Sequence, residues 1–201
     1  MRSPDAVVFD VGRVLVDFNH QSLLDFLEQH GAEVRTPREF VERTDLFRYE
    51  CGQLSTAEYL TNLNGLLPVP VDAERVMREW LCLFQPIDEM IELARRLRTG
   101  HSVYLLSNTN ALHWGHLNEA FRLNDLAEDA LTSFEAGFMK PDSRIYQTAE
   151  QRFGLEPART VFIDDVQDNA AAARDRGWHA IHHRNPAATR DALNALGIEA
   201  D

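Results

Sequence analysis

The sequence predicts an α/β fold in which a Rossmann-like parallel sheet carries an inserted α-helical cap. Over the second half of the chain, short apolar runs alternate with amphipathic helical stretches, a pattern typical of parallel sheets with right-handed crossovers. Directly after the first apolar run, this alternation gives way to a continuous series of helical segments. Such a block of helices indicates an insertion that lies above the sheet as a lid.

Four apolar runs are the predicted strands of the sheet, and they cover residues 6–9, 102–106, 160–163 and 179–182. A fifth, weaker signal covers residues 130–132. From residue 87 to 97, apolar side chains recur at helical spacing, and Gly100 ends this predicted helix. The chain is therefore predicted to alternate between strand and helix after the lid.

The predicted lid consists of four amphipathic segments separated by glycine and proline residues: "HQSLLDFLEQHG", "REFVERTDLFRYECG", "STAEYLTNLNGLL" and "DAERVMREWLCLF". Ser55 and Glu58 have the spacing of a capping box, which marks the start of a helix. We therefore predict a helical cap at residues 17–86 and an α/β core formed by residues 1–16 and 87–201.

Composition and charge exclude several classes of partner. The 201 residues suit one domain or a core with a modest insertion. The net charge of −12 argues against nucleic acid and anionic membrane surfaces as partners. No apolar run approaches the roughly 20 residues of a membrane span, and the first residues lack the apolar stretch of a signal peptide. We therefore expect a cytoplasmic protein that is a monomer or homodimer.

Polar residues of catalytic type end three of the predicted strands. Asp10 follows the first, Ser107 and Asn108 follow the second, and the adjacent acids Asp164 and Asp165 follow the third. Ligands of open α/β sheets bind outside the carboxyl ends of the strands, so we expect these side chains to converge on one rim. Two adjacent acids repel each other unless a cation or a hydrogen-bond donor compensates them.

Taken singly, most of these features have a structural explanation. Asp10 could form a turn before Gly12, the pair Ser107 and Asn108 could cap a helix, and Lys140 could be a solvated lysine. The combination is more specific than any of its parts.

As a set, these residues fit phosphoryl transfer. An Asp10 carboxylate can attack phosphorus and form an aspartyl-phosphate. Mg²⁺ prefers carboxylate oxygen, water and substrate phosphate, so Asp10, Asp165 and the Gly12 carbonyl are candidate ligands. The Ser107 hydroxyl and the ammonium of Lys140, in the loop "GFMKPD", could hold the remaining phosphoryl oxygens.

Over essentially its whole length, the chain resembles the hydrolases of the haloacid dehalogenase (HAD) superfamily. The four motifs of that superfamily match "FDVGRVLV", "LLSNTN", "MKPD" and "FIDDVQDN". The wording of these motifs is similar to the subgroup that contains α-D-glucose-1-phosphate phosphatase and the phosphatase domain of soluble epoxide hydrolase. The resemblance implies a HAD-like core with a helical cap, hydrolysis of a small-molecule phosphate ester, and Mg²⁺ as cofactor.

The resemblance also implies a role for each motif residue. Asp10 corresponds to the nucleophile, Ser107 and Asn108 to residues that contact phosphate, and Lys140 to the bridge between phosphate and nucleophile. For the acids of the last motif, it implies that Asp165 is a direct metal ligand. Its neighbour, residue 164, lies in the first or second coordination shell, and the sequence leaves open which of the two acids binds the metal directly.

The chain departs from the superfamily at Gly12. Most of its phosphatases have an Asp there, which protonates the leaving oxygen and later activates water. General acid–base catalysis typically contributes ~10²–10⁴-fold, so its loss favours leaving groups that need little protonation, such as the anomeric oxygen of a hexose 1-phosphate. Asp17, His113 and His116 are other proton donors to consider, although a turn or a polar helix face explains each of them equally well.

Two other functions remain open. A 2-haloacid dehalogenase has the same fold and nucleophile, needs no metal and lacks the second acid, but it gives no reason for the pair Asp164 and Asp165. A non-catalytic phosphate-binding or interaction protein is supported by Gly12 alone.

The cap is expected to select the ester. Four of its side chains are candidates for facing the site: Phe47, Tyr49, Glu50 and Trp80. Each of them could equally belong to the core of the cap or to its solvated surface.

Overall fold

The computed structural model describes residues 4–19, 21–34, 36–69, 71–72, 75, 78–79, 81 and 84–200. Two predictions concern other residues: Trp80 lies outside the described residues, as does most of the fourth predicted helical segment, at 72–84. In the described part of the chain, none of the helices has the length and apolar character that crossing a membrane requires.

The described residues contain seven β-strands and ten α-helices. The strands are β1 (Ala6–Phe9), β2 (Val16–Phe18), β3 (Phe84–Pro86), β4 (Ser102–Ser107), β5 (Asp129–Thr132), β6 (Thr160–Asp164) and β7 (His179–His182). The helices are α1 (Gln21–Gln29), α2 (Pro37–Thr44), α3 (Leu46–Glu50), α4 (Thr56–Asn64), α5 (Asp88–Leu97), α6 (Ala111–Phe121), α7 (Ser133–Ala136), α8 (Ser143–Phe153), α9 (Gln167–Asp175) and α10 (Pro186–Ala195).

Five strands of the described chain form one parallel sheet, in the order β5-β4-β1-β6-β7. The central strand is β1, where Phe9 lies level with Leu105 of β4 on one side and with Ile163 of β6 on the other. The four predicted strands and the weaker fifth are confirmed, and so is the α/β fold. This register brings the carboxyl ends of β1, β4 and β6 to one rim of the sheet.

Helices cover both faces of the sheet, which explains why β1 is apolar throughout. Val7 and Phe9 are fully buried in a cluster that includes Met90 of α5. Val8, which points to the opposite face, is fully buried in a second cluster with Tyr146 of α8. A strand buried on both faces has no place for a polar side chain until it ends, and the first polar residue is Asp10.

The chain leaves and re-enters the core through a small antiparallel pair, β2 and β3, which the sequence analysis did not predict. Val16 lies opposite Pro86, and Phe18 lies opposite Phe84. Strands of three residues are too short to show a periodic pattern, so their pairing leaves no signal in the sequence. The strand β2 crosses the first predicted cap boundary, and β3 ends at the second. We therefore keep the division at 17–86 as a proposal.

The described segment between β2 and β3 is helical, as predicted, and it has an apolar core of its own. Leu27 of α1 and Tyr59 and Leu63 of α4 are fully buried there, and Tyr59 stacks on Tyr49 of α3 at 4.4 Å between ring centroids. The predicted capping box at the start of α4 is confirmed by hydrogen bonds in both directions.

Candidate functional site

The sheet rim brings together the charged residues that the sequence singled out. The ammonium of Lys140 lies 2.8 Å from Asp10 Oδ1 and 2.7 Å from Asp164 Oδ2, and it also donates to the Leu106 carbonyl at 3.0 Å. The Lys140 side chain is only 1% exposed. A lysine on a loop 130 residues after Asp10 is therefore part of the same buried cluster, and the solvated-lysine alternative is wrong.

Asn108 positions Lys140 through its side-chain amide. Its Nδ2 donates to the Lys140 carbonyl at 2.9 Å, and its Oδ1 accepts from the Lys140 backbone N–H at 2.8 Å. Both ends of the amide are thus engaged with the lysine backbone, so a phosphate contact from this residue would fall to its backbone N–H. The preceding Ser107 is buried, and in the described part of the chain its hydroxyl has no hydrogen-bond partner.

The two adjacent acids after β6 have different surroundings. Asp164 is fully buried and accepts hydrogen bonds from Lys140, from the Val166 backbone N–H at 2.8 Å and from Asn169 Nδ2 at 3.0 and 3.1 Å. Asp165 is only partly buried, and no side chain of the described residues donates to its carboxylate, although His182 Nε2 contacts its backbone carbonyl at 2.9 Å. Asn169, one helical turn further on in "DDVQDN", was not singled out from the sequence, although its spacing could have indicated it.

Three carboxylates at this rim could hold a metal ion. Asp10, Asp164 and Asp165 each offer an oxygen, and these oxygens lie within 4.8 Å of one another. Burial raises the pKa of Asp10 to about 7 although Lys140 opposes it, and burial together with the charge of Asp164 raises the pKa of Asp165. Three acids lie near the ammonium of Lys140, two of them buried and Asp165 partly buried, so their negative charge exceeds its positive charge. An all-oxygen set of this kind suits a hard cation such as Mg²⁺. The residues therefore fit a metal ion.

The space beside Gly12 is occupied by an aromatic ring. A Cβ at this position would lie 3.0 Å from Phe18 Cε1, and the glycine has no positive φ that would itself require it. The guanidinium of Arg13 lies over the same ring, 4.5 Å from its centroid. A side chain at position 12 would therefore require the Phe18 ring to shift by a few tenths of an ångström. The sequence does not indicate this contact between the two residues.

The three alternative proton donors, Asp17, His113 and His116, have different surroundings in the structure. The carboxylate of Asp17 lies 3.0 Å from Arg13 and is 56% exposed, and Asp17 is not among the residues that line the cavity between the rim and the helical segment. His113 lies beside the site, where its ring packs edge-on against Phe84 and its Nδ1 lies 3.2 Å from Asn110 Nδ2. His116 lies further along α6, 6.3 Å from Phe84 between ring centroids.

A cavity of about 250 Å³ lies between the rim and the helical segment. Its lining includes Ser107 and Asn108 on the side of the core, and most of the remaining lining is apolar, including Phe18 and Phe40. Of the four predicted cap candidates, Phe47 and Glu50 line this cavity. The other two do not support a contact with the site: Tyr49 is buried in the cap core, and residue 80 lies outside the described part.

Known proteins are similar to this chain over most of its length. A family model described as haloacid dehalogenase-like hydrolase matches residues 4–177. D-ribitol-5-phosphate phosphatase of Bacteroides thetaiotaomicron is 28% identical, over 94% of this chain and 97% of that protein. The sesquiterpene phosphatase astK of Aspergillus oryzae is 24% identical, over 95% of each.

A crystal structure with a similar fold is that of the HAD family enzyme bt-2542 from B. thetaiotaomicron, in complex with magnesium and inorganic phosphate. It matches with a TM-score of 0.82 and 23% identity, over 90% of this chain and 94% of that one. At this level of identity, the likeness establishes the fold.

Proposed function

The chain belongs to the haloacid dehalogenase-like hydrolases, and we propose that it is a Mg²⁺-dependent phosphatase that hydrolyses a small phosphate monoester through an aspartyl-phosphate. The observation that carries this proposal is the buried cluster at the rim, in which Lys140 lies within 2.8 Å of both Asp10 and Asp164. An ammonium in this position can neutralise both the nucleophile and an incoming phosphoryl group. The two relatives named as phosphatases give independent support.

The proposed roles follow from the surroundings of each side chain. The Asp10 carboxylate attacks phosphorus, and Lys140 holds it in place and balances the developing charge. The Ser107 hydroxyl, which has no hydrogen-bond partner among the described residues, and the backbone N–H of Asn108 hold phosphoryl oxygens. Asp10 then carries the phosphoryl group until water releases it as inorganic phosphate.

For the metal, the proposed ligands are Asp10, Asp165 and the Gly12 carbonyl. Asp164 is proposed to act one shell further out, because Lys140 and Asn169 already engage its two oxygens. When bound, Mg²⁺ would supply positive charge against the phosphoryl oxygens.

Two properties of the site favour different esters. The lack of an acid at Gly12 favours a good leaving group, and on that ground we retain a hexose 1-phosphate as a candidate. The mostly apolar lining of the cavity favours an ester of a more apolar alcohol, since a sugar would leave hydroxyls without hydrogen-bond partners. The two relatives are likewise named for a polyol phosphate and a terpenoid phosphate.

The proposal is tested by measuring phosphate release from sugar phosphates, alkyl phosphates and nucleotides, with Mg²⁺ and with a chelator. The Asp10→Asn variant provides the blank. We expect metal-dependent release that the variant lacks. Halide release from 2-haloacids in the presence of chelator would instead indicate a dehalogenase, and binding of phosphate without turnover would indicate a non-catalytic protein.

The remaining predictions from the sequence are retained as proposals. These are a cap domain at residues 17–86 on a core of 1–16 and 87–201, a cytoplasmic location, a monomer or homodimer, and the narrower resemblance to the glucose-1-phosphatase subgroup.

A further inference from the structure

An isolated carboxylate lines the cavity on the side of the cap. Glu50, the last residue of α3, is partly buried among apolar residues such as Phe40 and Leu46. In the described part of the chain it has neither a hydrogen-bond partner nor an ion-pair partner. Removing a carboxylate from water without a partner is costly, so its presence here needs an explanation other than stability.

The end of α3 packs against the core, and Glu50 lines the same cavity as Ser107 and Asn108 at the rim. Gly52, which follows it with φ of 67°, packs so closely on the core that a Cβ would overlap the carbonyl oxygen of Phe134. The neighbouring Ser133 accepts a hydrogen bond from the Thr109 N–H and donates to the Thr109 carbonyl, both at 2.9 Å. Since Thr109 follows the phosphate-binding pair, this chain of contacts places Glu50 over that part of the rim.

The apolar surroundings of Glu50 favour its protonated form. Burial raises its pKa to about 7, so both the acid and the carboxylate are populated near neutral pH. Cys51 and Tyr59, which interact electrostatically with it, carry no positive charge in either protonation state, and burial and the charge of Glu50 raise the pKa of both. A carboxyl group with a pKa near the working pH can both donate and accept a proton.

The reaction needs an acid on this side of the phosphate. Attacking and leaving oxygens lie roughly in line across phosphorus. With Asp10 attacking from the core, the leaving oxygen points away from the rim, towards the cap. Water that later attacks the aspartyl-phosphate must approach from the same side, so one group there can serve both steps.

We propose that Glu50 is the general acid and base of the reaction, in place of the carboxylate that Gly12 lacks. The proposal rests on the proposed phosphatase function. In the first step, an Asp10 oxygen bonds to phosphorus, the bond to the ester oxygen breaks, and that oxygen takes the proton of Glu50. In the second, Glu50 takes a proton from water as water bonds to phosphorus, and the bond from phosphorus to Asp10 breaks.

Two variants test the role, with a matched control on the same helical segment. Glu50→Gln keeps the shape but cannot transfer a proton, and Glu50→Asp keeps the carboxyl on a shorter side chain. Glu42→Gln removes the same charge from α2, where the carboxylate is 61% exposed and pairs with Arg38 at 2.8 Å. Thermal unfolding and circular dichroism establish that each variant is folded.

The decisive measurement is kcat/KM against the pKa of the leaving group, for alkyl and aryl phosphates, because kcat/KM reports the step in which the leaving group departs. With Glu50→Gln, kcat/KM for alkyl phosphates should fall ~10²-fold or more, whereas kcat/KM for 2,4-dinitrophenyl phosphate should change by only a few-fold. The aspartyl-phosphate should then accumulate, visible by intact-protein mass as one added phosphoryl group. Glu50→Asp should recover part of the alkyl phosphate rate, and Glu42→Gln should behave as the unmodified protein.

Equal losses on all esters, or none, would overturn the role of Glu50. A leaving-group dependence that appears instead in His113→Gln would transfer the role to that residue, which lines the same cavity. Failure of the phosphatase proposal has a different signature, because the unmodified protein would then release no more phosphate or dinitrophenolate than Asp10→Asn does, and both proposals would fall.

Discussion

The two sides of the cavity differ in how they hold charge. On the core side, Lys140 pairs with Asp10 and Asp164, and the Val166 backbone N–H and Asn169 also donate to Asp164. On the cap side, Glu50 lies among apolar side chains without a partner in the described part of the chain. On the core side, each charge is thus stabilised by the others. The position of the Glu50 carboxyl, in contrast, is set by how the cap docks on the core.

The largest effect is expected from removing the centre of the network. Lys140→Met should abolish phosphate release and lower the free energy of unfolding by about 3–5 kcal/mol, because two buried carboxylates lose their shared cation. Urea unfolding and phosphate release measure the two effects. Arg144→Ala is the control on the adjoining helix, since its guanidinium is 60% exposed and pairs with the exposed side of Asp142. If Lys140→Met lowered the free energy of unfolding only as much as Arg144→Ala does, the ion pairs of Lys140 would not stabilise the core.

The next largest effect should come from disturbing the docking of the cap. Gly52→Ala adds a Cβ that overlaps the Phe134 carbonyl, so α3 must shift and carry Glu50 away from the rim. We expect kcat/KM to fall by roughly 10–100-fold, as a displacement of about 1 Å can cause.

A matched control separates this clash from backbone strain. Gly154→Ala has nearly the same φ, 66° against 67°, but open space around its Cβ. Both variants should lose about 1 kcal/mol of stability from strain alone, and only the first should lose activity. Equal kinetics in the two would contradict the docking of α3 as the source of the effect.

A smaller, selective effect should distinguish the adjacent acids. Asp165→Asn should weaken Mg²⁺ binding at least ten-fold. Stability should change little, because no described side chain donates to the Asp165 carboxylate. Asp164→Asn should mainly destabilise the fold, because it leaves Lys140 with one partner fewer. Isothermal titration with Mg²⁺ and urea unfolding give the two readouts. The reverse pattern would exchange the two roles.

The effect expected to leave the chemistry of the core side unchanged concerns the stability cost of Glu50, which has no partner among the described residues. Since burial raises the pKa of Glu50 to about 7, its ionisation costs stability only above the pKa of the unfolded chain, and the full cost applies above pH 7. Glu50→Gln should therefore be more stable than the unmodified protein at pH 8, by about 1–3 kcal/mol, and the difference should vanish near pH 4. Unfolding at both pH values checks this, and a pH-independent difference would mean that Glu50 is not held in an apolar environment.

Much of the core side could be predicted from the sequence because its signals are local. A strand buried on both faces is apolar to its last residue, so the first polar side chain marks the strand end, as Asp10 and Asp164 do. The strands of a parallel sheet end at a common rim, which is enough to bring these residues together. The position of Lys140 was predicted only through its motif.

Which cap residues face the cavity could be seen only in the tertiary structure. The contacts that determine it join segments that are far apart in the sequence and that carry no motif of their own. From the sequence, Gly12 indicates only that an acid is missing. In the structure, Phe18 occupies the space beside Gly12, and Phe18 belongs to β2, which pairs with β3. Among the cap residues that could face the site, helical periodicity cannot separate Tyr49 from Glu50, which are neighbours. The docking of Gly52 on Phe134 separates them, burying the tyrosine in the cap core and leaving the carboxyl to face the cavity.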